Sequence, residues 1–148
     1  MIYLGADHRG FNLKEKIKKW LSKWGEEFED CGNNIFDPED DFPDFAIKVG
    51  EKVAMEKGKG ILLCGSGGMA LTANKIKGVW AAEAWGVKWA RHAKQHDNIN
   101  VLVIPADSVN NYTAKKMIRV WLDSPLKTEV KYIRRLEKIK KLEDRNFK

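Results

Sequence analysis

The chain lacks most of what would tie it to a membrane, a metal or an oxidising compartment. It has only two cysteines, Cys31 and Cys64, in 148 residues. They form no disulfide framework and show no metal-ligand spacing. A reducing cytoplasm is the simplest compartment for such a chain. No stretch of ~20 apolar residues offers a membrane span. Asp7, His8 and Arg9 fall within the first nine residues, where a signal peptide would place its apolar region. Internal repeats and low-complexity linkers are also missing. A single domain over residues 1–148 is expected, long enough to bury a sizeable core. His92 and His96 have the i, i+4 spacing of a helical metal pair. No glutamate completes a His-Glu-x-x-His frame and no third ligand suggests itself, so no metal is expected.

Charge is present but uneven. The net charge is +6, and residues 127–148 hold nine Lys/Arg against four Asp/Glu. This basic tail could meet nucleic acid or a phosphorylated small molecule. A solvated amphipathic helix is the better general reading of such a run.

Short apolar runs alternate with helical periods. Strands are expected at Met1–Gly5, Glu27–Cys31, Ile61–Cys64, Val79–Ala82 and Ile99–Ile104. The second is weakly alternating and rests on the rhythm of its neighbours. Helices fit Phe11–Trp24, Pro43–Met55, Val87–Gln95, Thr113–Leu122 and Glu129–Glu143, with a loop over Asn33–Asp41. This alternation predicts an α/β fold with a parallel sheet covered on both faces. Ligands of such folds sit beyond the carboxyl ends of the strands. Asp7 and His8, Asp41, Cys64 and Ser66 all fall in the segments that follow those ends.

The segment Gly60–Lys75 carries the strongest local signal. An apolar run ends in Cys64, Gly65-Ser66-Gly67-Gly68 follows, and a helix-like stretch begins. A thiol at a strand end would then face the free amides of a helix start, which lower a thiol's pKa and hold an anion. Cys64 could instead pack as a small apolar residue, but that role does not need a glycine run that lets backbone approach a ligand. The run is neither a Walker loop nor a dinucleotide fingerprint.

Other candidates are less decided. Asp7, His8 and Arg9 could bind phosphate or shuttle protons; equally, Asp7 could cap the following helix and His8 stand in solvent. His96, just before the fifth strand, suits acid/base work better than His92. Most of the six tryptophans sit at core-like positions. Trp85 and Trp89 are the best candidates for an interface or a pocket wall.

Taken together, the ordered motifs resemble the ribose-5-phosphate isomerase B family, which also includes allose-6-phosphate and galactose-6-phosphate isomerases. They are Gly5–Lys14, Asp41–Ala46, Cys64–Gly67, Ala73–Gly78, His96–Leu102 and Arg134–Ile139, in the family's order and nearly its spacing. The resemblance implies a single Rossmann-like α/β/α sandwich on a five-stranded parallel sheet. It implies a C-terminal helix reaching a partner subunit, in a homodimer or tetramer with active sites built from both chains. Cofactor-free aldose–ketose isomerisation is implied, with ribose 5-phosphate to ribulose 5-phosphate as the expected reaction. No nucleic acid, membrane or metal is implied. Carried over, Cys64 is the base that moves a proton between C2 and C1, with Ser66 on the oxygens. Gly65, Gly67 and Gly68 supply amides to an enediolate. His96 opens the sugar ring with help from Asp41. Asp7 and Asn98 hold hydroxyls, and His8, Lys131 and Arg135 bind the phosphate.

Three departures from the family pattern stand out. The glycine loop is one residue short. Asp107 stands where an arginine is common after the fifth strand. Lys131 replaces an arginine and cannot form a planar fork. The competing expectation is a sugar-phosphate or other anion-binding module without turnover. A nucleic-acid binder using the basic tail ranks third.

Overall fold

The computed structural model describes residues 1–147. Five strands and six helices follow one another: β1 (Ile2–Ala6), α1 (Phe11–Lys23), β2 (Phe28–Asp30), α2 (Phe42–Glu56), β3 (Lys59–Cys64), α3 (Gly68–Ala73), β4 (Ala81–Glu83), α4 (Val87–Gln95), β5 (Val101–Pro105), α5 (Asn111–Asp123) and α6 (Val130–Asn146). All strand pairs are parallel, in the order β2-β1-β3-β5-β4. The three inner strands read Ile-Tyr-Leu-Gly-Ala, Lys-Gly-Ile-Leu-Leu-Cys and Val-Leu-Val-Ile-Pro and are buried almost throughout. Near-continuous apolar runs are what a sheet covered on both faces requires.

The strand alternation splits the core into two layers. Leu4, Ile61, Leu63, Leu102 and Ile104 pack against α1, α4 and α5 through Ile17, Leu21, Ala90, Met117 and Trp121. Tyr3, Leu62, Cys64, Val101 and Val103 face the other way, onto Phe45, Val49 and Val53 of α2 and Met69 and Ala73 of α3. Cys64 therefore belongs to the α2/α3 face.

Two outer strands are shorter than sequence patterning suggests. β2 keeps three residues, and β4 starts at Ala81 rather than Val79. Val79 is buried, but its amide closes a turn on the Ile76 carbonyl at 3.1 Å. Asparagines then do the work of a strand partner. The Asn74 amide group bonds both the N–H and the C=O of Ala81 at 2.8 Å, and Asn100 holds Trp80 N and Gly78 O at 2.8 Å. β5 begins at Val101, two residues later than expected, after this bracket.

The chain runs from β1 outward to β2, then returns across to β3 and on toward β5 and β4. Strand order thus reverses between β1 and β3, which opens a crevice at their carboxyl ends. At the other end of the sheet, α6 folds back on its own chain. The Glu143 carboxylate accepts from Gly78 N at 2.8 Å and Trp80 Nε1 at 3.3 Å. No helix among the described residues is long and apolar enough to cross a membrane.

Candidate active site

The crevice between β1 and β3 is lined by Asp7, His8, Arg9, Asp40, Phe42, Cys64, Gly65, Ser66 and Gly68, around a cavity of about 300 Å³. Gly10 lets the turn after β1 sit tightly against β3. A Cβ there would lie 2.4 Å from the Leu63 carbonyl oxygen. Asp7, 5% exposed, ties this turn together, its Oδ1 accepting from Arg9 N at 3.0 Å and Gly10 N at 3.1 Å. Burial pushes the Asp7 carboxyl above the usual carboxylate range, against the pull of those amides. The helix-turn role and the crevice position therefore coexist in one side chain.

His8 faces the crevice with its Nδ1 2.8 Å from Asp40 Oδ1, which also accepts from the His8 amide at 3.2 Å. That hydrogen bond raises the imidazole above its ordinary pKa. The acidic partner is Asp40, whose side chain is almost fully buried. Asp41, the aspartate expected in the site, is exposed at the start of α2 and does not line the cavity. Four acids stand close together in this loop, at 37, 39, 40 and 41, and only the loop's path selects the one that turns inward.

Cys64 is 3% exposed. Its Sγ lies against the Ser66 carbonyl oxygen. Burial pushes the thiol up, against backbone contacts from Met69 and Ser66, and the carboxyls of Asp7 and Glu83 push it further. The expected lowering of the thiol pKa is therefore reversed. The helix after the loop is only six residues long, and its amides do not outweigh desolvation. Arg9 bridges to Asp107, with its guanidinium against Gly65. The acidic residue after β5 is thereby neutralised by a cation from the turn after β1. Ser66 is exposed, and Gly67 and Gly68 complete the loop.

His96, Asn98, Lys131 and Arg135 do not join this crevice within one chain. His96 and Asn98 follow α4 and precede β5, at the amino edge of the sheet. Cys64 pairs with Pro105 at the opposite end of β5, and about 13 Å of strand lies between Val101 and Pro105. His96, Lys131 and Arg135 instead gather around Tyr132 of α6. The His96 ring stacks on Tyr132 at 4.7 Å between centroids and 10° between planes. Lys131 Nζ and Arg135 Cζ stand 5.1 and 5.9 Å from the same ring. Lys127 N donates to Gln95 O at 2.9 Å and fixes the start of α6 beside the end of α4. His96 Nε2 is buried with no hydrogen-bond partner among the described residues. Tyr132, which sequence reasoning passed over, is the scaffold of this second cluster. Only its helical spacing from Lys131 and Arg135 could have suggested it.

Metal-binding geometry is limited. His92 and His96 stack face to face at 4.9 Å and 27°, and no group of three potential ligands among the described residues includes them. Ligand atoms of Asp7, His8 and Asp40 lie within 4.8 Å of one another, but Asp7 already holds two amides and His8 already pairs with Asp40. Trp85 and Trp89 are exposed, 53% and 62%, beyond the carboxyl end of β4.

Fold and crevice define a doubly wound parallel α/β protein with a thiol, an imidazole and a glycine loop at its switch point. The family model described as Ribose/Galactose Isomerase matches residues 2–139, and the chain belongs to that family of isomerases. A probable ribose-5-phosphate isomerase B from Mycoplasma genitalium is 39% identical, over 93% of this chain and 92% of that protein. The crystal structure of ribose-5-phosphate isomerase B from Mycoplasma genitalium with bound ribulose-5-phosphate superposes with a TM-score of 0.93 at 38% identity, covering 97% of this chain and 95% of that one. Ribose-5-phosphate isomerase B from Clostridium thermocellum superposes at 0.92 with 33% identity, covering 97% of each.

Proposed function

We propose that the chain interconverts ribose 5-phosphate and ribulose 5-phosphate through an enediolate, with Cys64 as the base. The observation that carries this reading is the thiol itself, buried at the end of β3 beside the glycine loop and across the crevice from the His8–Asp40 pair. The thiolate takes the C2 proton of the open-chain aldose and returns it to C1. Ser66 Oγ bonds the oxygens that exchange the hydroxyl proton. Amides of Gly65, Gly67 and Gly68 face the developing oxyanion; one well-placed donor of this kind contributes about 3–4 kcal/mol. A raised thiol pKa makes fewer thiolates but a stronger base, so kcat/KM rises as pH climbs toward the thiol pKa.

The phosphate is bound by His8, whose pKa the hydrogen bond to Asp40 raises, and by Lys131 and Arg135. Those two cations, with His96 and Asn98, lie at the far edge of the same chain. A second copy must supply them, in a dimer that brings the amino edge of one chain to the crevice of the other. His96 of that second copy opens the furanose ring as acid/base. Asp7 and Asn98 hold sugar hydroxyls. A cytoplasmic enzyme without cofactor fits this chemistry.

The test is proton exchange at C2 of ribose 5-phosphate in deuterated water. Cys64→Ala abolishes exchange if the thiol is the base. Exchange at the wild-type rate in that variant removes Cys64 from the mechanism.

A further inference from the structure

We propose that Glu83 is a positioning residue of this isomerase, controlling when the Cys64 thiol gives up its proton from behind the glycine loop. The proposal rests on the reading of Cys64 as the base.

Glu83 is the last residue of β4 and pairs with Val103 of β5, which pairs in turn with Leu62 of β3. Leu62, Val103 and Cys64 face α2 and α3, and this register sends the Glu83 side chain to the same side. Its Oε2 fills the space beside Gly67; a Cβ on Gly67 would lie 2.5 Å from it. Its Oε1 is buried with no hydrogen-bond partner among the described residues. A buried polar atom in that state needs an explanation. A structural carboxylate is normally paired with a cation or with N–H donors.

The surroundings offer Glu83 no such cation. The facing helix α3, Gly68–Ala73, has no titratable residue, and Val103 of β5 is apolar. The nearby cations of the crevice are committed elsewhere, Arg9 to Asp107 and His8 to Asp40. Burial alone acts on Glu83 and pushes its carboxyl up. Around Cys64 the remaining charged groups are Asp7 from the turn after β1, Arg9 against Gly65, and Glu83 itself. Ionised Glu83 therefore adds a second negative charge near the thiol, and protonated Glu83 removes it. That charge disfavours the thiolate, so ionised Glu83 raises the pH at which the base becomes available.

The experiment is the pH dependence of Cys64 alkylation by iodoacetamide, in a Cys31→Ser background so that one thiol is read. Glu83→Gln, uncharged and of similar shape, shifts the midpoint down by about half to one pH unit, about three- to tenfold more thiolate at fixed pH. The rising limb of kcat/KM for ribose 5-phosphate moves down with it while KM changes little. Glu83→Asp keeps the charge and stays nearer the wild-type midpoint. An unmoved midpoint in Glu83→Gln, with activity lost, would make Glu83 a loop support only and overturn the proposal. Should Glu83→Gln not fold, Glu83→Ala in the same background decides: a lowered midpoint supports the proposal, and an unmoved one overturns it. Alkylation is read without turnover. A failed base assignment (full activity in Cys64→Ala) is thus distinguishable from a failed coupling (an unmoved midpoint).

Discussion

Two side chains of the crevice depart from their ordinary titration. His8 is raised by its hydrogen bond to Asp40. The stabilisation from this pair is complete below the unfolded histidine value of about 6.5 and is lost as pH rises through the higher folded value. Asp40→Asn should therefore move the His8 titration down in an NMR experiment and raise KM for a sugar phosphate near neutral pH. An unchanged His8 titration would mean that Asp40 does not hold its charge. Cys64 is raised mainly by burial. Activity should grow with pH above neutrality until the thiol has titrated, and a flat profile from pH 6 to 9 would speak against a thiolate base. These residues differ in how far sequence betrayed them. Cys64, Asp7 and His8 sit directly at or after apolar strands, where ligands of parallel sheets bind. Asp40 sits in an acidic loop with no periodicity, so sequence pointed to its neighbour Asp41. Glu83 stands at a strand end too, but the apolar run ends at Ala82 and leaves it outside the strand pattern.

At the scale of elements, burial on both faces made the inner strands plain, and helical spacing made the helices plain. The outer strands were less legible because side-chain amides replace strand neighbours there. Asn74 caps Ala81 on one side, and Asn100 holds Trp80 and Gly78 on the other. A second contact ties the first helix to the sheet edge. Lys14 of α1 is fully buried, with Nζ 2.6 Å from Asp30 Oδ2 of β2, and Lys18 joins at 2.9 Å. Burial would raise the Asp30 carboxyl, but the two lysines more than offset it and its pKa falls. The stabilisation is present above the unfolded aspartate value of about 3.9 and disappears as pH falls through the lower folded value. Asp30→Asn leaves the buried Lys14 ammonium with the Glu15 carboxylate, at 3.3 Å, as its remaining anion and should lower stability by about 1.5–3 kcal/mol. Urea unfolding at pH 7 measures this; a loss below 1 kcal/mol would show that Glu15 takes over the ammonium. Activity per folded molecule should survive, since neither residue lines the crevice.

For the whole molecule, topology separates residues that the proposed reaction would bring together. In a parallel fold, a helix that precedes a strand ends at the amino edge, while strand-end residues lie at the carboxyl edge. The placement of His96 and Asn98 away from Cys64 follows from chain order alone, and the proposed two-chain site gives that separation a purpose. What sequence could not supply is the partner surface, which no single-chain pattern encodes. The central claim is that one crevice is completed by His96, Lys131 and Arg135 of a second copy. Mixed dimers test it most directly. Cys64→Ala and Arg135→Ala proteins, each inactive by itself, are unfolded together and refolded as a mixture. Random pairing through a twofold interface gives half of the dimers one intact crevice, and about a quarter of wild-type activity should return. Should the mixture stay as inactive as its components while size measurement shows that subunits have exchanged, Cys64 and Arg135 would have to act from the same chain, and the shared-site account would be wrong.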